Sequence, residues 1–296
     1  MESSHEPVLL KEVLEYLDPK PGEFVIDGTL DGGGHSAAIL ERIKPGGKLL
    51  GVDWDEVMAE KAKERFSGGT GTFVQGNFAN LPEILKKENL GKADGLLLDL
   101  GFSSEQLAGS GRGFTFTADE PLLMTYDRNR PGVKDVLRQL REDELANVIY
   151  EFGEERFSRQ IARAIKEHLR KNRIETSGEL AEIISRAVPR NYEHHRIHPA
   201  TRTFQALRIY VNDELGNLKK ILGELQETLK AGGRIVVITF HSLEDRIVKQ
   251  SFKHLEREGE LEILTNKPIF TSHEEVITNP RSRSAKLRAA KMKNAI

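Results

Sequence analysis

A glycine-rich turn followed by a single carboxylate has the residue types and spacing that bind nucleotide-type cofactors. The turn reads DGTLDGGGHS over residues 27–36, and Asp53 follows its glycines by about twenty residues. Glycines let the backbone approach a ligand closely, and an acid at this spacing accepts hydrogen bonds from ribose hydroxyls. The pattern therefore predicts a cofactor site, and other residues must decide which cofactor it takes.

The elements around the turn must position these residues. An apolar run precedes the turn, a helix-like segment follows it, and a second apolar run ends at Asp53. Strands that alternate with helices predict a parallel sheet covered on both faces, with ligands at the carboxyl ends of the strands. We therefore predict an α/β, Rossmann-like fold. The predicted strands cover 24–28, 48–53, 71–76 and 94–100, and the predicted helices cover 8–17, 36–43, 55–66 and 80–89.

The pattern changes after about residue 105. Charged helical segments without a clear strand continue to about residue 200. Apolar residues spaced by three or four then predict one long helix over 203–230, ended by Gly232 and Gly233 and followed by a strand at 234–240. We predict a helical insertion in the α/β domain. The expected boundaries are 1–110 for the first part of the α/β domain, 111–199 for the insertion and 200–296 for the second part.

The composition narrows the class of protein. The 296 residues carry a net charge of −2 and include no cysteine, which excludes disulfides, thiolate metal sites and a cysteine nucleophile. No apolar run of about 18 residues is present, so no membrane span is predicted. The absence of cysteine and of a signal-like N-terminus favours the cytoplasm. No metal site is predicted, because the histidines at 194–198 lack a supporting ligand pattern.

Two kinds of cofactor compete for the glycine turn. The dinucleotide fingerprint G-x-G-x-x-G fits poorly, because Gly32, Gly33 and Gly34 are consecutive and Ala37 stands where the last glycine belongs. The alternative is S-adenosylmethionine, whose methyltransferases use a related strand, turn and helix. In that fold the loop after the fourth strand, which here follows Asp99, lies near the reactive methyl. A nicotinamide-dependent oxidoreductase stays open as the rival.

Several longer blocks identify a family. The chain resembles the bacterial small-subunit ribosomal RNA cytosine methyltransferases of the MraW/RsmH type. The blocks are HEPVLL at 5–10, DGTLDGGGHS at 27–36, LLLDLGFSSEQL at 96–107, RGFTF at 112–116, EFGEERFSRQIARAI at 151–165, HPATRTFQALRIYVNDEL at 198–215, ITFHSLEDRIVK at 238–249 and NPRSRSAKLRAA at 279–290.

The resemblance implies a class I S-adenosylmethionine-dependent methyltransferase fold with a helical insertion domain. It also implies methyl transfer to the exocyclic 4-amino group of a cytidine in the decoding region of 16S rRNA, within the small ribosomal subunit or a late precursor. A non-enzymatic RNA-binding or ribosome-assembly factor is the second rival, and a homodimer is left open. The cofactor contacts implied by position are Gly33, Gly34, His35, Asp53, Phe78, Asp99 and Gln106.

The chain departs from the family pattern at three positions. Asp31 stands where the family usually has glycine, and Leu123 and Thr125 replace an acid and an arginine. The change at Asp31 affects the conformation or charge of the glycine turn. The changes at Leu123 and Thr125 affect any substrate contact made by residues 121–127.

The reaction requires a proton acceptor. A cytosine amino group is a poor nucleophile, because its lone pair is delocalised into the ring, so the enzyme must orient it and accept its proton. The candidates are Asp99 and Ser103 after the fourth strand and His241 after the fifth.

Basic residues in three clusters are candidates for binding RNA. Those at 156–170 recur at three- and four-residue steps, which places them on one face of a helix, and only Glu167 interrupts the stretch from Arg156 to Arg173. Clustered positive charge on a chain of net charge −2 is typical of phosphate contact. The predicted RNA-binding residues are Arg156, Arg159, Arg163, Lys166, Arg170, Arg196, Arg202, Arg283 and Arg288.

Overall fold

The computed structural model describes residues 7–69, 71–101, 111–127 and 130–294. The chain forms two compact units. The first consists of Met1–Phe102 with Leu215–Ile296, and the second consists of Ser103–Glu214. None of the helices within the described residues has the length and apolar character to cross a membrane.

The helices and strands follow the predicted alternation through residue 99. The strands are β1 (Phe24–Asp27), β2 (Lys48–Asp53), β3 (Gly71–Gln75), β4 (Ala93–Asp99), β5 (Leu229–Thr239), β6 (Leu261–Ile263), β7 (Ile269–Phe270) and β8 (Lys286–Met292). The α-helices are α1 (Leu10–Leu17), α2 (Gly34–Ile43), α3 (Glu56–Arg65), α4 (Leu81–Lys87), α5 (Val133–Gln139), α6 (Glu142–Gly153), α7 (Ser158–Leu169), α8 (Ser177–Ala187), α9 (Ala200–Asn212), α10 (Glu214–Gly223), α11 (Leu225–Thr228), α12 (Ser242–Arg257) and α13 (His273–Thr278).

The sheet of the first unit has the order β3-β2-β1-β4-β5-β8-β6, and β7 pairs with β8. Strands β1 to β5 are parallel to one another, whereas β8 runs antiparallel to both β5 and β6. The strand order reverses between β1 and β4, which is where open parallel sheets bind their ligands. The predicted α/β, Rossmann-like fold is confirmed.

Strand β4 shows how the sheet obtains a core on each face. Leu96 and Leu98 belong to the apolar cluster on one face, and Leu97 belongs to the cluster on the other. All three side chains are fully buried. Because successive side chains of a strand point to opposite faces, a continuous apolar run needs helices on both sides.

The second unit is helical in its described part, as the sequence predicts. Its helices α5 to α9 pack on one another, with α6 against both α7 and α9. Asn212 at the end of α9 donates from Nδ2 to the carbonyl of Met124 at 2.7 Å and accepts from the N–H of Tyr126 at 3.0 Å. Thr125 between these partners is buried. These contacts hold α9 in the second unit, which therefore extends to Glu214 rather than ending at the expected position 199.

The prediction of one long helix over 203–230 is wrong. Helix α9 ends at Asn212 because Asp213 adopts a left-handed conformation with φ 51°. Two shorter helices follow, and Leu229 already pairs with Ala93 as the first residue of β5. Gly232, with φ 80°, lies inside this strand, where the register with β4 shifts. The glycines therefore accommodate a bulge and do not end a helix.

Candidate cofactor site and RNA-binding residues

Three carboxylates lie at the carboxyl ends of neighbouring parallel strands. Asp27 ends β1, Asp53 ends β2 and Asp99 ends β4. Their exposed fractions are 0%, 6% and 8%. The sheet order brings β2, β1 and β4 side by side, so the three acids share one edge of the sheet. This is the edge that the sequence predicts for the cofactor.

Asp27 connects the first strand to the turn and to the helix after it. Its Oδ2 accepts from the hydroxyl of Ser36 at 2.6 Å, and its Oδ1 accepts from the N–H of Thr29 at 3.2 Å. The hydroxyl of Thr29 in turn accepts from the N–H of Asp99 at 2.7 Å. The turn after β1 is therefore fastened to the ends of both β1 and β4.

Asp53 is held by two backbone donors. Its Oδ2 accepts from the N–H of Asp31 at 3.0 Å, and its Oδ1 accepts from the N–H of Asp55 at 2.8 Å. A carboxylate has about four lone-pair positions, so each oxygen keeps capacity for one further donor. The two backbone hydrogen bonds fix the orientation of the Asp53 carboxylate toward a bound ribose.

The glycine turn contains two residues in the left-handed region. Asp31 has φ 44° and Gly33 has φ 72°. The N–H of Gly33 donates to the carbonyl of Leu30 at 2.7 Å, and a Cβ added to Gly32 would meet nothing within 4 Å. The turn thus exposes open space above Gly32. Asp31 adopts a conformation that glycine takes at less cost.

His35 lies in the first turn of α2 with 6% of its surface exposed. Its Nε2 is 3.4 Å from Oδ2 of Asp99, and neither ring nitrogen has a hydrogen bond within the described residues. A buried imidazole without partners is costly unless a ligand supplies them. The structure brings His35 and Asp99 together, as their shared assignment to the cofactor requires.

Phe78 and Gly34 complete the described part of the predicted site. A Cβ added to Gly28 would lie 3.3 Å from Cβ of Phe78, so Phe78 stands beside the start of the turn. Gly34 is the first residue of α2, and a Cβ added to it would lie 3.0 Å from the ring of Pro7, which is a tight contact. Gln106, the remaining predicted contact, lies outside the described residues.

The three candidate proton acceptors have different surroundings. Oδ1 of Asp99 accepts from the N–H of Gly101 at 3.1 Å, and Oδ2 faces His35. His241 caps α12, because its Nδ1 accepts from the N–H of Glu244 at 3.4 Å while its Nε2 lies 3.0 Å from Oε1 of Glu244. Ser103 lies outside the described residues. The contacts of His241 favour a structural role for it.

Burial makes the site a poor environment for negative charge. It raises the pKa of Asp27 to about 6, although the hydrogen bond from Ser36 opposes this shift. Burial also raises the pKa of Asp53 to about 7 against the pull of its two backbone donors. The pKa of Asp31 is raised well above its usual range by burial and then by the charge of Asp53. A cation bound in this site would favour the charged form of Asp27, Asp53 and Asp31 and so lower the pKa of each.

Six of the predicted RNA-binding residues are exposed. In α7, Arg159 and Arg163 face solvent, whereas Ile161 and Ile165 on the other face are fully buried. The nearest acid to Arg163 is Glu142, with 3.7 Å between Nε and Oε1. The predicted basic face of this helix therefore exists as an exposed surface. The six residues are Arg156, Arg159, Arg163, Arg170, Arg196 and Arg283.

The other three form internal contacts that the prediction did not anticipate. Nζ of Lys166 donates to the carbonyl of Leu137 at 2.5 Å, and burial lowers the pKa of this amine. Arg202 pairs with Glu193 at 3.0 Å. Arg288 lies in β8 with 7% exposed, and its Nε is 2.7 Å from Oδ1 of Asp245. The assignment of Arg288 to RNA stays a prediction that these contacts do not favour, because its guanidinium is already paired with Asp245.

Sequence reasoning missed the residues that support the site. Thr29 and Ser36 bond the acids at the strand ends, and Asp55 both orients Asp53 and caps α3. The sequence does carry a signal for these roles, since Asp55 is the first residue of the helix predicted over 55–66, and a threonine and a serine lie at the two ends of the glycine turn. A capping rule would have found Asp55.

The sheet order, the glycine turn and the acid after β2 define a Rossmann-like domain with a site for a nucleotide-type cofactor. The profile of the MraW methylase family matches residues 2–293. The chain therefore belongs to the MraW methylase family, and it is an S-adenosylmethionine-dependent methyltransferase.

Three relatives carry the name ribosomal RNA small subunit methyltransferase H. The protein from Trichlorobacter lovleyi is 46% identical over 98% of this chain and 98% of its own length. The one from Geobacter sulfurreducens is 47% identical over 98% of this chain and 99% of its own length. The one from Thermotoga neapolitana is 48% identical over 97% of this chain and 96% of its own length.

Proposed function

We propose that this protein transfers the methyl group of S-adenosylmethionine to the exocyclic 4-amino group of a cytidine in the decoding region of 16S rRNA. The observation that carries the proposal is the grouping of Asp27, Asp53 and Asp99 around an open glycine turn, in a chain whose relatives are named for methylation of small-subunit rRNA. The proposed substrate is the small ribosomal subunit or a late precursor, in the cytoplasm.

The residues of the site fit the cofactor. The free lone pairs of Asp53 suit the two ribose hydroxyls, and Phe78 beside the turn suits one face of the adenine. The first N–H groups of α2 have no partner within the helix, so they suit the carboxylate of the methionine moiety. The unpaired nitrogens of His35 suit the same end of the ligand. When bound, the cofactor supplies a methyl group on a positively charged sulfur.

Asp99 is the proposed proton acceptor. The amino nitrogen must lose a proton as it gains the methyl group, and a carboxylate in a buried site accepts it at short range. Asp99 is 8% exposed and lies at the carboxyl end of β4, the edge at which open parallel sheets bind their ligands. The Gly101 N–H fixes one carboxylate oxygen and leaves the other directed at His35.

The helical unit is proposed to hold the RNA. Its exposed arginines supply phosphate contacts. It also presents an exposed His198 ring stacked on Phe116, with ring centroids 4.4 Å apart. Exposed rings of this kind accept unstacked RNA bases. A homodimer stays a prediction from the sequence, which light scattering in solution would measure.

Mass spectrometry of 16S rRNA fragments tests the function. Cells that lack the protein are expected to lose one methyl group on one decoding-region cytidine, and the gene on a plasmid should restore it. Tritiated methyl transfer to free rRNA, precursor particles and finished subunits then identifies the substrate. A non-enzymatic assembly factor would transfer no label to any of the three, and that result would refute the proposal.

A further inference from the structure

We propose that the carboxylate of Asp31 makes this site prefer the positively charged S-adenosylmethionine over its neutral product, S-adenosylhomocysteine. The inference rests on the proposed cofactor site and adds to it a residue that distinguishes reactant from product. The two ligands differ by one methyl group and by the charge on sulfur. The shape of the site can therefore distinguish the two ligands only weakly. A carboxylate near the sulfur can distinguish them strongly, because it attracts only the charged one.

The hydrogen bonds of the turn place Asp31 between the two ends of the site. Its N–H donates to Oδ2 of Asp53, which marks the ribose end. Two residues earlier in the same turn, the hydroxyl of Thr29 accepts from the N–H of Asp99 at 2.7 Å. Asp99 marks the methionine end. The sulfur joins the ribose to the methionine chain, so a bound cofactor would carry it along the turn from Thr29 to Asp31, between Asp99 and Asp53.

The backbone shows that this carboxylate is held in place at a cost. Asp31 has φ 44°, in the left-handed region where a non-glycine residue is disfavoured. The turn is nevertheless well fixed, because the N–H groups of Leu30 and Asp31 donate to Val52 and Asp53 respectively. The main chain of Asp31 therefore has a defined position relative to the end of β2.

No described cation neutralises this carboxylate from within the site. Both ring nitrogens of His35 lack hydrogen bonds among the described residues. The guanidinium of Arg65 donates to the carbonyl of Gly32, but Arg65 is exposed on the outside of the turn. Like charges that crowd together in a buried site disfavour ionisation of each other. A sulfonium among them is thus favoured by several carboxylates at once, and Asp31 adds its charge at the sulfur.

Methyl transfer removes the charge on which this preference depends. The bond between sulfur and the methyl carbon breaks with its electron pair left on sulfur, and a bond between the target nitrogen and that carbon forms. The nitrogen gives up one proton to Asp99. The positive charge beside Asp31 is thereby lost, so the attraction that held the reactant does not hold the product.

Calorimetric titration with three ligands tests the inference. The ligands are S-adenosylmethionine, S-adenosylhomocysteine and sinefungin, in which an ammonium group stands in place of the sulfonium. In the wild type, the two cations are expected to bind more tightly than the neutral product. Asp31→Asn should reduce that ratio about tenfold, the effect of one unit charge at a distance of several ångströms in a partly polar site. The control Glu41→Gln, which removes an exposed acid in α2, should leave the ratio unchanged.

The Asp31→Gly variant separates charge from backbone. It removes the carboxylate and also the left-handed strain, so it should fold at least as stably as the wild type and lose the same preference. An unchanged ratio in either variant overturns the inference, and so does an equal loss of affinity for all three ligands. If the wild type binds none of the three, the proposed cofactor site itself fails, which is a different and recognisable result.

Discussion

At the scale of single residues, the site is organised by carboxylates whose acceptor capacity is only partly used. Asp53 illustrates this, because each of its oxygens accepts one backbone N–H and retains a lone pair for a ligand. Backbone donors do not rotate away, so the acid is oriented before any ligand arrives.

The first prediction is that Asp53→Ala weakens S-adenosylmethionine binding by about a hundredfold or more. Two hydrogen bonds between a charged carboxylate and the ribose hydroxyls would be lost, each contributing about 1.5–3 kcal/mol. Isothermal titration calorimetry measures the affinity. The affinity of Asp53→Asn, which keeps one oxygen acceptor, should fall between those of the wild type and Asp53→Ala. Unchanged affinity in Asp53→Ala would contradict the assignment of Asp53 to the ribose.

The second prediction concerns pH and the stability of the cofactor-free protein. Burial raises the pKa of Asp27 to about 6 and that of Asp53 to about 7, so the folded protein binds protons that the unfolded chain has released above pH 4. The stability that these groups contribute is present below pH 4 and is lost as pH rises through 6 and 7. For Asp27 the loss is about 3 kcal/mol.

Urea unfolding at pH 5 and pH 8 measures this loss. The wild type should lose more stability over that interval than Asp27→Asn, whose amide does not titrate and still accepts the Ser36 hydroxyl bond. The same difference between pH 5 and pH 8 in both proteins would show that Asp27 is already ionised at pH 5.

The sequence predicted two acids of the site, Asp53 and Asp99, but not all the partners of its basic residues. Asp27, Asp53 and Asp99 follow apolar strands, and this local pattern is enough to place them at one edge of a parallel sheet. Arg288 follows no such rule, because its partner Asp245 lies 43 positions away in sequence and meets it only when β8 enters the sheet. Partners that come together only through folding are invisible to charge patterns along the chain.

At the scale of elements, α7 shows a division between two faces. Ile161 and Ile165 bury one face, while Arg159 and Arg163 leave the other to solvent. The spacing of three and four residues predicted this arrangement, because helix periodicity depends on local sequence alone. Lys166 departs from it, since its amine donates to the carbonyl of Leu137 in α5 instead of facing solvent.

The third prediction is that Arg159→Glu with Arg163→Glu weakens binding to small-subunit RNA and lowers its salt dependence. Each lost phosphate contact should reduce the slope of log affinity against log salt by about 1. Fluorescence titration with labelled RNA at several salt concentrations measures both quantities. The control is Lys253→Glu with Arg257→Glu in α12, which makes the same charge change at exposed positions. Equal losses in both double variants would point to net charge instead of α7.

The region from α9 to β5 shows what spacing cannot predict. Apolar residues recur at helical intervals from Phe204 to Leu229, yet three helices and the start of a strand share this stretch. Asp213 in the left-handed conformation separates α9 from α10 without a glycine or proline to mark the break. The periodicity reports which residues are buried, and the helix ends depend on tertiary contacts such as those of Asn212.

At the scale of the whole molecule, the fourth prediction is that the cofactor raises the stability of the protein. S-adenosylmethionine at one hundred times its dissociation constant should add about 2.7 kcal/mol, if it binds only the folded state. Thermal unfolding with and without the ligand measures the change. NADH at the same concentration should have no effect, and stabilisation by NADH alone would support the rival oxidoreductase.

In the sequence, the second unit is inserted between β4 and β5, and this affects the order in which the two units can fold during synthesis. Residues 103–214 leave the ribosome before β5 exists, so the helical unit has all its residues while the central strand β4 still lacks its neighbour on one side. Strand β8 comes later still and enters between β5 and β6. Because domains fold as their residues emerge, we expect the helical insertion to fold before the sheet is complete. Until β5 has been translated, the edge of β4 that β5 will cover stays unpaired and exposed to chaperones.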